Sequence, residues 1–381
     1  MHGEENRNWF DVMKRIWMLA DSIVSPLGST TAENFSKVQH GISALDLIHP
    51  DSLAPHSFYG GFVSGMSSSE SSSKFEVMCE RVIEQLLANV SISKDRTLFI
   101  LSTTKGNISF LEEGRPDHPR IHLHETAAYL AGKYGLRNHL VVSNACISGV
   151  MAMIVAGRLI SSGQFDQAIV VGADVLSRFV VSGFESLHAL SPDRCRPFDA
   201  QRRGINLGEC AAGVVLGLRE TANDDSSVFI SGGGLSNDAN HISGPSRTGE
   251  ELAMAMRQAL QEAGKEAADI DFISAHGTAT LYNDEMEAKA FHIMNMADKP
   301  INSMKGYFGH TLGAAGVLET ILSAQSLKQD QLIATAGFDQ IGVSKPLNVI
   351  RHPANIKLNA CLKTASGFGG CNAAIVLQKG N

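Results

Sequence analysis

The chain has 381 residues, of which 44% are hydrophobic and 19% charged, and its formal net charge is −7. These proportions are typical of a globular protein with a large core, and they exclude a disordered or fibrous chain. No run of basic residues is longer than the pair Arg202-Arg203. Because nucleic-acid binding needs a concentrated basic face, we expect no nucleic-acid partner.

Cysteine spacing and hydropathy indicate the cellular compartment in which the protein is expected. Six cysteines are present, and none forms a C-x-x-C pair or a zinc-binding spacing. Residues 1–15 are polar and mixed in charge, unlike a secretory signal. No apolar run reaches the roughly 20 residues of a membrane-spanning helix. We therefore expect a cytoplasmic protein with reduced thiols, no membrane association and no bound metal.

Short β-branched runs alternate along the chain with longer segments of helical periodicity. The predicted strands cover residues 98–101, 140–142, 168–171, 213–218, 227–231, 272–274 and 373–377, and the predicted helices cover 75–88, 124–134, 147–160, 250–262, 284–294 and 314–327. This alternation predicts an α/β fold with helices packed on mostly parallel sheets. The pattern runs twice, with a polar connector at 220–226. The Ser-rich stretch 67–73 is predicted to be a mobile loop.

Cys146 is the strongest candidate nucleophile. It follows a predicted strand in V-V-S-N-A-C-I-S-G and opens an apolar helix. At a helix N-terminus the macrodipole lowers the pKa of a thiol, and backbone N–H groups point toward an oxyanion beside the sulfur. Gly149 allows another backbone segment to approach closely. A buried, unreactive cysteine is the ordinary alternative. That is the interpretation for Cys79, Cys195, Cys210 and Cys361, with Cys371 intermediate.

Two histidines stand in glycine-rich frames at the ends of predicted elements. His276, in S-A-H-G-T-A-T, ends a strand, where active-site groups of α/β proteins collect. Asp284 and Glu287 follow at a helix start and can hold the backbone N–H groups of this loop. His310, in G-H-T-L-G-A-A-G, precedes a helix. A thiol and two imidazoles on three segments can perform acyl-thioester chemistry.

Charged residues near His310 complete the candidate set. Lys305 lies five residues before His310, and Glu319 lies nine residues after it, where it can pair with Lys305. The alternating histidines of 118–124 suggest a metal site, but a solvated loop is the preferred interpretation.

Together, these frames resemble those of the β-ketoacyl-acyl carrier protein synthases, the condensing enzymes of fatty acid and polyketide synthesis. Further matches are S-G-F-E-S-L-H-A-L-S at 182–191, R-P-F-D at 196–199, G-E at 208–209, S-N-D-A-N-H-I-S-G-P at 236–245 and G-F-G-G-C-N at 367–372. The resemblance covers nearly the whole chain. It implies a homodimer with a thiolase-like α/β fold. Two duplicated halves, 1–220 with the nucleophile and 221–381 with the histidines, would form a five-layered αβαβα sandwich.

The Cys-His-His set resembles that of the elongating type of synthase. The resemblance implies decarboxylative Claisen condensation of an acyl group on Cys146 with malonyl-acyl carrier protein, giving 3-oxoacyl-acyl carrier protein. It implies that the backbone N–H groups of Cys146 and Phe368 form the oxyanion hole. It also implies that His276 and His310 stabilise the enolate.

Other matched positions have supporting roles in the family. Lys305 and Glu319 would hold His310 in place. Positions that contact the phosphopantetheine arm or line the acyl pocket match Thr278, Thr280, Ile147 and Phe368. The phosphopantetheine belongs to the substrate, so the resemblance implies no metal and no cofactor.

The implied partner is an acidic acyl carrier protein. The candidate docking residues are Lys74, Arg202 and Arg203, and ordinary solvated charges explain them equally well. Ile205, Cys210 and Ser366 depart from the family pattern, which keeps open a dedicated synthase of an aryl polyene, pigment or polyketide pathway. A heterodimer with a second ketosynthase-like subunit is also open. A non-catalytic partner subunit is less favoured, because such subunits characteristically lack the cysteine.

Overall fold

The computed structural model describes residues 14–50, 53–68, 71–219, 227–238 and 244–380. The predicted connector at 220–226, and with it the predicted boundary between residues 220 and 221, lies outside these ranges. Most of the polar N-terminus and parts of the 67–73 and 236–245 segments lie outside them as well.

The described residues form fifteen strands and ten α-helices. The strands are β1 (Ile16–Val24), β2 (Asp46–Ile48), β3 (Phe58–Gly61), β4 (Thr97–Ser102), β5 (Asn138–Val142), β6 (Gln167–Asp174), β7 (Leu207–Gly208), β8 (Cys210–Gly217), β9 (Val228–Asn237), β10 (Phe272–Ser274), β11 (Ile301–Asn302), β12 (Gln331–Leu332), β13 (Ala354–Asn355), β14 (Ala360–Ser366) and β15 (Cys371–Lys379). The helices are α1 (Thr31–Gln39), α2 (Lys74–Asn89), α3 (Ser109–Glu112), α4 (Leu123–Lys133), α5 (Ser148–Ser161), α6 (Arg178–Ser186), α7 (Glu250–Glu262), α8 (Leu281–Ile293), α9 (Lys305–Phe308) and α10 (Ala315–Gln329).

Each predicted strand and helix overlaps one of these elements. The sequence does not predict β1 or β14, because Asp21 and Lys363 interrupt their apolar runs. Both strands are paired on two sides within the main sheet, where tertiary packing outweighs local pattern.

One mixed sheet of ten strands has the order β11-β10-β14-β15-β9-β1-β8-β6-β4-β5. Its two halves share one topology: β1, β4, β5, β6 and β8 repeat as β9, β10, β11, β14 and β15, with the same parallel and antiparallel pairs. β1 and β9 join the halves. The predicted duplication is confirmed. The expectation of mostly parallel sheets is wrong, because β8 and β15 run antiparallel to both of their neighbours.

Helices α5 and α10 form a central layer between the two halves of the sheet. Each of them contacts strands of both halves. A separate apolar cluster joins α2 and α4 to the first half, and another joins α7 and α8 to the second. The resulting order of helix, sheet, helix, sheet and helix confirms the predicted five-layered sandwich.

The central helices touch backbone to backbone. A Cβ placed on Gly316 would lie 2.4 Å from Val150 N, and one on Gly149 would lie 2.8 Å from Val317 N. Only glycine fits such a contact, because a side chain would overlap the opposite backbone. The contact fixes how closely the two halves approach each other.

Helix α10 is buried along nearly its whole length although it carries polar residues. Thr320 and Ser323 donate to carbonyls four residues earlier, at 2.6 and 2.7 Å, which satisfies their hydroxyl groups. Glu319 is the one buried carboxylate on this helix, and its partners lie on other elements. Within the described ranges, no helix combines the length and hydropathy needed to span a bilayer.

Candidate active site

Cys146 lies in a tight turn between β5 and α5. Ala145 has a φ of 44°, a left-handed conformation that is costly for a residue with a Cβ. The Ser148 hydroxyl locks the turn, because it donates to Ala145 O at 2.6 Å and accepts from Asn144 N at 2.8 Å. Since α5 begins at Ser148, the sulfur lies at a helix N-terminus, as the sequence predicts.

Burial dominates the electrostatics of this thiol. Cys146 is 7% exposed, and desolvation raises its pKa to about 12, with Cys371 adding to the rise and Lys305 opposing it. The net shift is therefore opposite to the lowering expected from the helix N-terminus, because burial dominates. The thiol is protonated, so a neighbouring base must take its proton when the sulfur attacks.

Two buried carboxylates of α8 hold the loop that carries His276. Glu287 accepts from the backbone N–H groups of His276 and Gly277 at 2.8 and 2.6 Å, and Asp284 accepts from Thr278 N at 3.0 Å. Burial raises the pKa of both carboxyl groups, that of Asp284 to about 7. Both residues thus fix the loop in the way the sequence predicts.

His310 occupies in the second half the position that Cys146 occupies in the first, between the third strand and the central helix. Its backbone N–H donates to Asn206 O at 2.7 Å, and its carbonyl accepts from Gly208 N at 3.0 Å. The duplication therefore directs the nucleophile and one histidine toward each other from the two central helices.

Cys146, His276 and His310 converge, with sulfur and ring nitrogen atoms within 4.8 Å of one another. Burial, together with the positive charges of Lys305 and Lys363, lowers the pKa of both histidines well below 6.5. Both imidazoles are therefore neutral in the resting site. Among the residues that the structure describes, no second cluster of this kind occurs, and the histidines of 118–124 do not form one.

The two rings have different neighbours. Lys305 Nζ lies 3.3 Å from His276 Nδ1, and an ammonium group can only donate, so Nδ1 accepts and Nε2 carries the proton. Neither ring nitrogen of His310 has a hydrogen-bond partner within the described ranges. His276 is thus prepared to donate, and His310 is free to accept a proton.

One carboxylate holds two buried lysines beside these rings. Glu319 Oε1 accepts from Lys305 at 2.7 Å, and Oε2 lies 2.7 Å from Lys363 Nζ. Lys305 also donates to the His276 carbonyl at 2.6 Å, so the Lys305–Glu319 pair contacts His276, whereas the resemblance implies that it holds His310. Sequence reasoning misses Lys363, although a lone lysine in the apolar run A-C-L-K-T-A-S was an available signal.

A cavity of about 440 Å³ opens beside the three side chains. Its mainly apolar walls include Phe184, Leu187, Ile205, Leu281, Tyr282 and Phe368. Thr278 and Thr280, with hydroxyl oxygens 2.8 Å apart, line the same cavity, where a long flexible arm would pass them. Ile147 does not line it, because its side chain is buried in the core next to α5.

The turn between β14 and β15 covers Cys146. A Cβ on Gly367 would lie 3.0 Å from Cys146 N and 2.9 Å from Cys371 Sγ. The backbone of this turn thus lies beside that of the nucleophile. The Phe368 ring forms part of the cavity wall and contacts the Phe184 ring, with centroids 5.7 Å apart.

Models of two protein domains match the chain: the N-terminal domain of β-ketoacyl synthase over residues 124–222, and the C-terminal domain of β-ketoacyl synthase over residues 228–339. The chain is 31% identical over 295 residues to nodulation protein E of Rhizobium leguminosarum bv. trifolii, an alignment that covers 74% of this chain and 71% of that protein. The chain belongs to the β-ketoacyl synthase family.

Two further members show how far the likeness extends. The chain is 37% identical over 256 residues to 3-oxoacyl-[acyl-carrier-protein] synthase 2 of Rhizobium meliloti (strain 1021), covering 64% of this chain and 61% of that relative's length. A chain from the solved complex of a ketosynthase with its chain length factor, from Xenorhabdus doucetiae, aligns with this protein over 100% of both chains with a TM-score of 0.86 and 25% identity. This alignment confirms the thiolase-like fold.

The candidate docking cations of this β-ketoacyl synthase differ in exposure. Arg202 is 7% exposed and donates to Asp199 O at 3.0 Å, so the docking role predicted for it is wrong. Lys74 pairs with the buried Glu209 at 2.5 Å. Arg203 remains exposed and lines the cavity.

Asp174 is a second residue that sequence reasoning misses. It ends β6 and accepts from Thr103 Oγ1 at 2.9 Å and from Gly313 N at 2.7 Å. It therefore ties the first half of the synthase to the segment that follows His310. A carboxylate at the carboxyl end of a buried strand was the available signal.

Proposed function

We propose that this protein catalyses the decarboxylative Claisen condensation of a Cys146-bound acyl group with malonyl-acyl carrier protein, giving 3-oxoacyl-acyl carrier protein. The observation that carries the proposal is the convergence of Cys146, His276 and His310 within 4.8 Å at the wall of a largely apolar cavity. The family, which includes a relative named as a 3-oxoacyl-[acyl-carrier-protein] synthase, supports it.

In the first half-reaction, Cys146 takes the acyl group. His310 accepts the thiol proton while the sulfur attacks the thioester carbonyl, and the backbone N–H groups of Cys146 and Phe368 stabilise the oxyanion. The carbon–sulfur bond to the carrier then breaks. The carrier thiol leaves with the proton held by His310, which is neutral again for the second half-reaction.

In the second half-reaction, the malonyl group loses CO₂. The Nε2–H of His276 and a ring N–H of His310 donate to the malonyl thioester oxygen. The bond to the carboxylate carbon breaks, and its electron pair remains in an enolate that these donors stabilise. The enolate carbon attacks the acyl carbonyl, the carbon–sulfur bond to Cys146 breaks, and the thiolate that leaves takes a proton from solvent.

The partner in both half-reactions is an acyl carrier protein, whose phosphopantetheine arm passes Thr278 and Thr280. The exposed Arg203 is the remaining basic candidate at the cavity mouth. No metal or redox cofactor enters these steps, because the thiol, the histidines and backbone donors supply each interaction. We place the reaction in a cytoplasmic dimer, and a role for Ile147 in an acyl pocket stays a prediction.

Intact-mass spectrometry with acyl-carrier substrates of different chain lengths tests the first half-reaction. Wild type should gain the mass of the acyl group, and Cys146→Ala should not. Cys371→Ala is the matched control, since it removes a neighbouring buried thiol and should leave the adduct in place. Absence of an adduct from wild type with every chain length would contradict the proposal.

A heterodimeric ketosynthase is the second candidate. The observation that favours it is the full-length alignment with a chain from the solved complex of a ketosynthase with its chain length factor. In that case the protein would serve a dedicated pathway beside a second ketosynthase-like subunit, and Cys146 argues against its being the non-catalytic partner. Native mass spectrometry and an acylation assay of the protein alone distinguish the stand-alone synthase from the heterodimeric ketosynthase. A homodimer that becomes acylated supports the stand-alone synthase, and an inactive monomer supports the heterodimer.

A further inference from the structure

Lys363 has no role in the reaction steps above, yet it lies fully buried beside them on β14. Its ammonium group lies 2.7 Å from Glu319 Oε2, and it donates to the carbonyl oxygens of Ser274 and Ala275 at 3.3 and 3.4 Å. The Thr364 carbonyl accepts as well. All four partners are acceptors and favour the protonated form of Lys363, in opposition to burial, which lowers its pKa.

Lys363 supplies one of the two buried positive charges beside the histidines. Burial raises the pKa of Glu319, but Lys305 and Lys363 outweigh that effect and lower it, so Glu319 is ionised. Glu287 is a second carboxylate facing His276, from α8. Burial raises the pKa of the Glu287 carboxyl group, so Glu319 is the main source of negative charge behind the rings. The rings and the Cys146 thiol are uncharged at rest, whereas Asp174 and Lys105 act on the thiol from the first half and Arg203 lines the cavity.

The positive charge of Lys363 lies directly behind His276. Lys363 ties Glu319 on α10 to the end of β10, two residues before His276. Removing it would leave the Ser274 and Ala275 carbonyls without this donor and make the surroundings of the rings more negative by one charge. In a buried site of low dielectric, such a change acts strongly on any substrate charge.

We propose that Lys363 is a positioning residue for the condensation half-reaction: it fixes Glu319 and the end of β10 behind His276, and its charge favours the anionic malonyl group and the enolate. This inference rests on the proposed function. The first half-reaction brings in an uncharged acyl thioester. Its oxyanion forms together with the proton on His310, so the net charge of the site does not change. The second brings in a carboxylate and passes through an enolate, so a buried positive charge acts mainly on the second.

Lys363→Met tests the proposal, because methionine is unbranched and similar in length but carries no charge. Acylation of Cys146 is followed by intact mass, and decarboxylation of malonyl-carrier by the pre-acylated protein is followed separately, with its KM. We expect decarboxylation to fall about ten-fold or more and the KM for malonyl-carrier to rise, with acylation changed far less. Lys328→Met is the matched control: Lys328 lies on α10 and pairs with Asp21 at 3.4 Å, and both rates should be unchanged.

Three outcomes would overturn the proposal. One is an equal loss in both half-reactions, as expected of a purely structural lysine, and another is no loss in either. Lys363→Arg keeps the charge, so it should keep the wild-type ratio of the decarboxylation rate to the acylation rate even if its bulk lowers the Tm. The third outcome is a Lys363→Arg variant whose ratio is changed as much as that of Lys363→Met. A wild type without acylation or decarboxylation would contradict the proposed function itself.

Discussion

The imidazole rings of His276 and His310 stand edge to face with centroids 5.2 Å apart. They follow β10 and β11, which are parallel neighbours, so the carboxyl ends of these strands bring both residues to one edge of the sheet. Lys305 touches only the His276 ring, which gives the two histidines different capacities. His276 is limited to donating, whereas His310 can also accept.

Substitution of His276 and substitution of His310 should therefore affect the two half-reactions differently. His276→Gln should lower condensation by about 10²–10⁴-fold and leave much of the acyl transfer to Cys146, because it removes a donor to the enolate. His310→Gln should lower both half-reactions, because it also removes the base for the thiol. Separate acylation and decarboxylation assays measure this, and identical profiles for the two variants would contradict the assigned roles.

The stability of the protein should depend on pH through His310. Its pKa is lowered in the folded state, so below about pH 6.5 the unfolded chain binds a proton that the native protein does not. The wild type then loses stability as the pH falls, by about 1.4 kcal/mol per pH unit for one such group. His310→Asn lacks this contribution, whereas His276, whose pKa is also lowered, contributes in both proteins.

Urea unfolding of both proteins between about pH 7 and pH 5.5 measures the effect, and the difference in unfolding free energy should move in favour of His310→Asn as the pH falls. The pKa of Asp284 is raised to about 7, so its contribution changes in the opposite direction. That contribution is common to both proteins and cancels. A difference independent of pH would show that His310 is not neutral in the native site.

The contact between the central helices should tolerate no side chain. Gly316→Ala should destabilise the protein by about 1–3 kcal/mol or more, because its Cβ would overlap Val150 N. Gly132→Ala is the control: it lies inside α4 with no atom within 4 Å of an added Cβ, and it should be neutral or stabilising by about 0.5–1 kcal/mol. Thermal unfolding measures both, and equal effects would refute the close contact.

The carboxylate of Glu287 should be required for the geometry of the His276 loop. Glu287→Gln replaces one of two acceptor oxygens with a donor that faces a backbone N–H, which should cost about 1–3 kcal/mol and slow decarboxylation. Glu285→Gln is the control on the same helix, since Glu285 bonds Ser344 at the surface. Comparable losses in the two variants would argue against a specific role for Glu287.

The sequence predicts those parts of the site that depend on local frames. The strand, turn and helix around Cys146 and the glycine-rich frames of both histidines are local patterns, and their places agree with the structure. The duplication is also predictable, because the order of elements repeats along the chain. Asp284 and Glu287 could be identified because they lie within one loop and helix start of His276.

What the sequence does not predict depends on partners that are distant along the chain. Lys363 meets Glu319 only through the packing of β14 against α10. Arg202 is buried because segments remote in the sequence enclose it, although its neighbour Arg203 is exposed. The pKa of Cys146 reverses its expected direction for the same reason, since the 367–370 turn helps to desolvate the thiol.

The most direct test of the central claim is a single turnover on the acylated protein. Wild type carrying an acyl group on Cys146 is mixed with malonyl-carrier labelled with ¹³C in its free carboxylate, and labelled CO₂ and the carrier product are measured by mass spectrometry. We expect release of ¹³CO₂ with transfer of the acyl group into 3-oxoacyl-carrier. An acyl group that stays on Cys146 while the malonyl-carrier remains intact would contradict it.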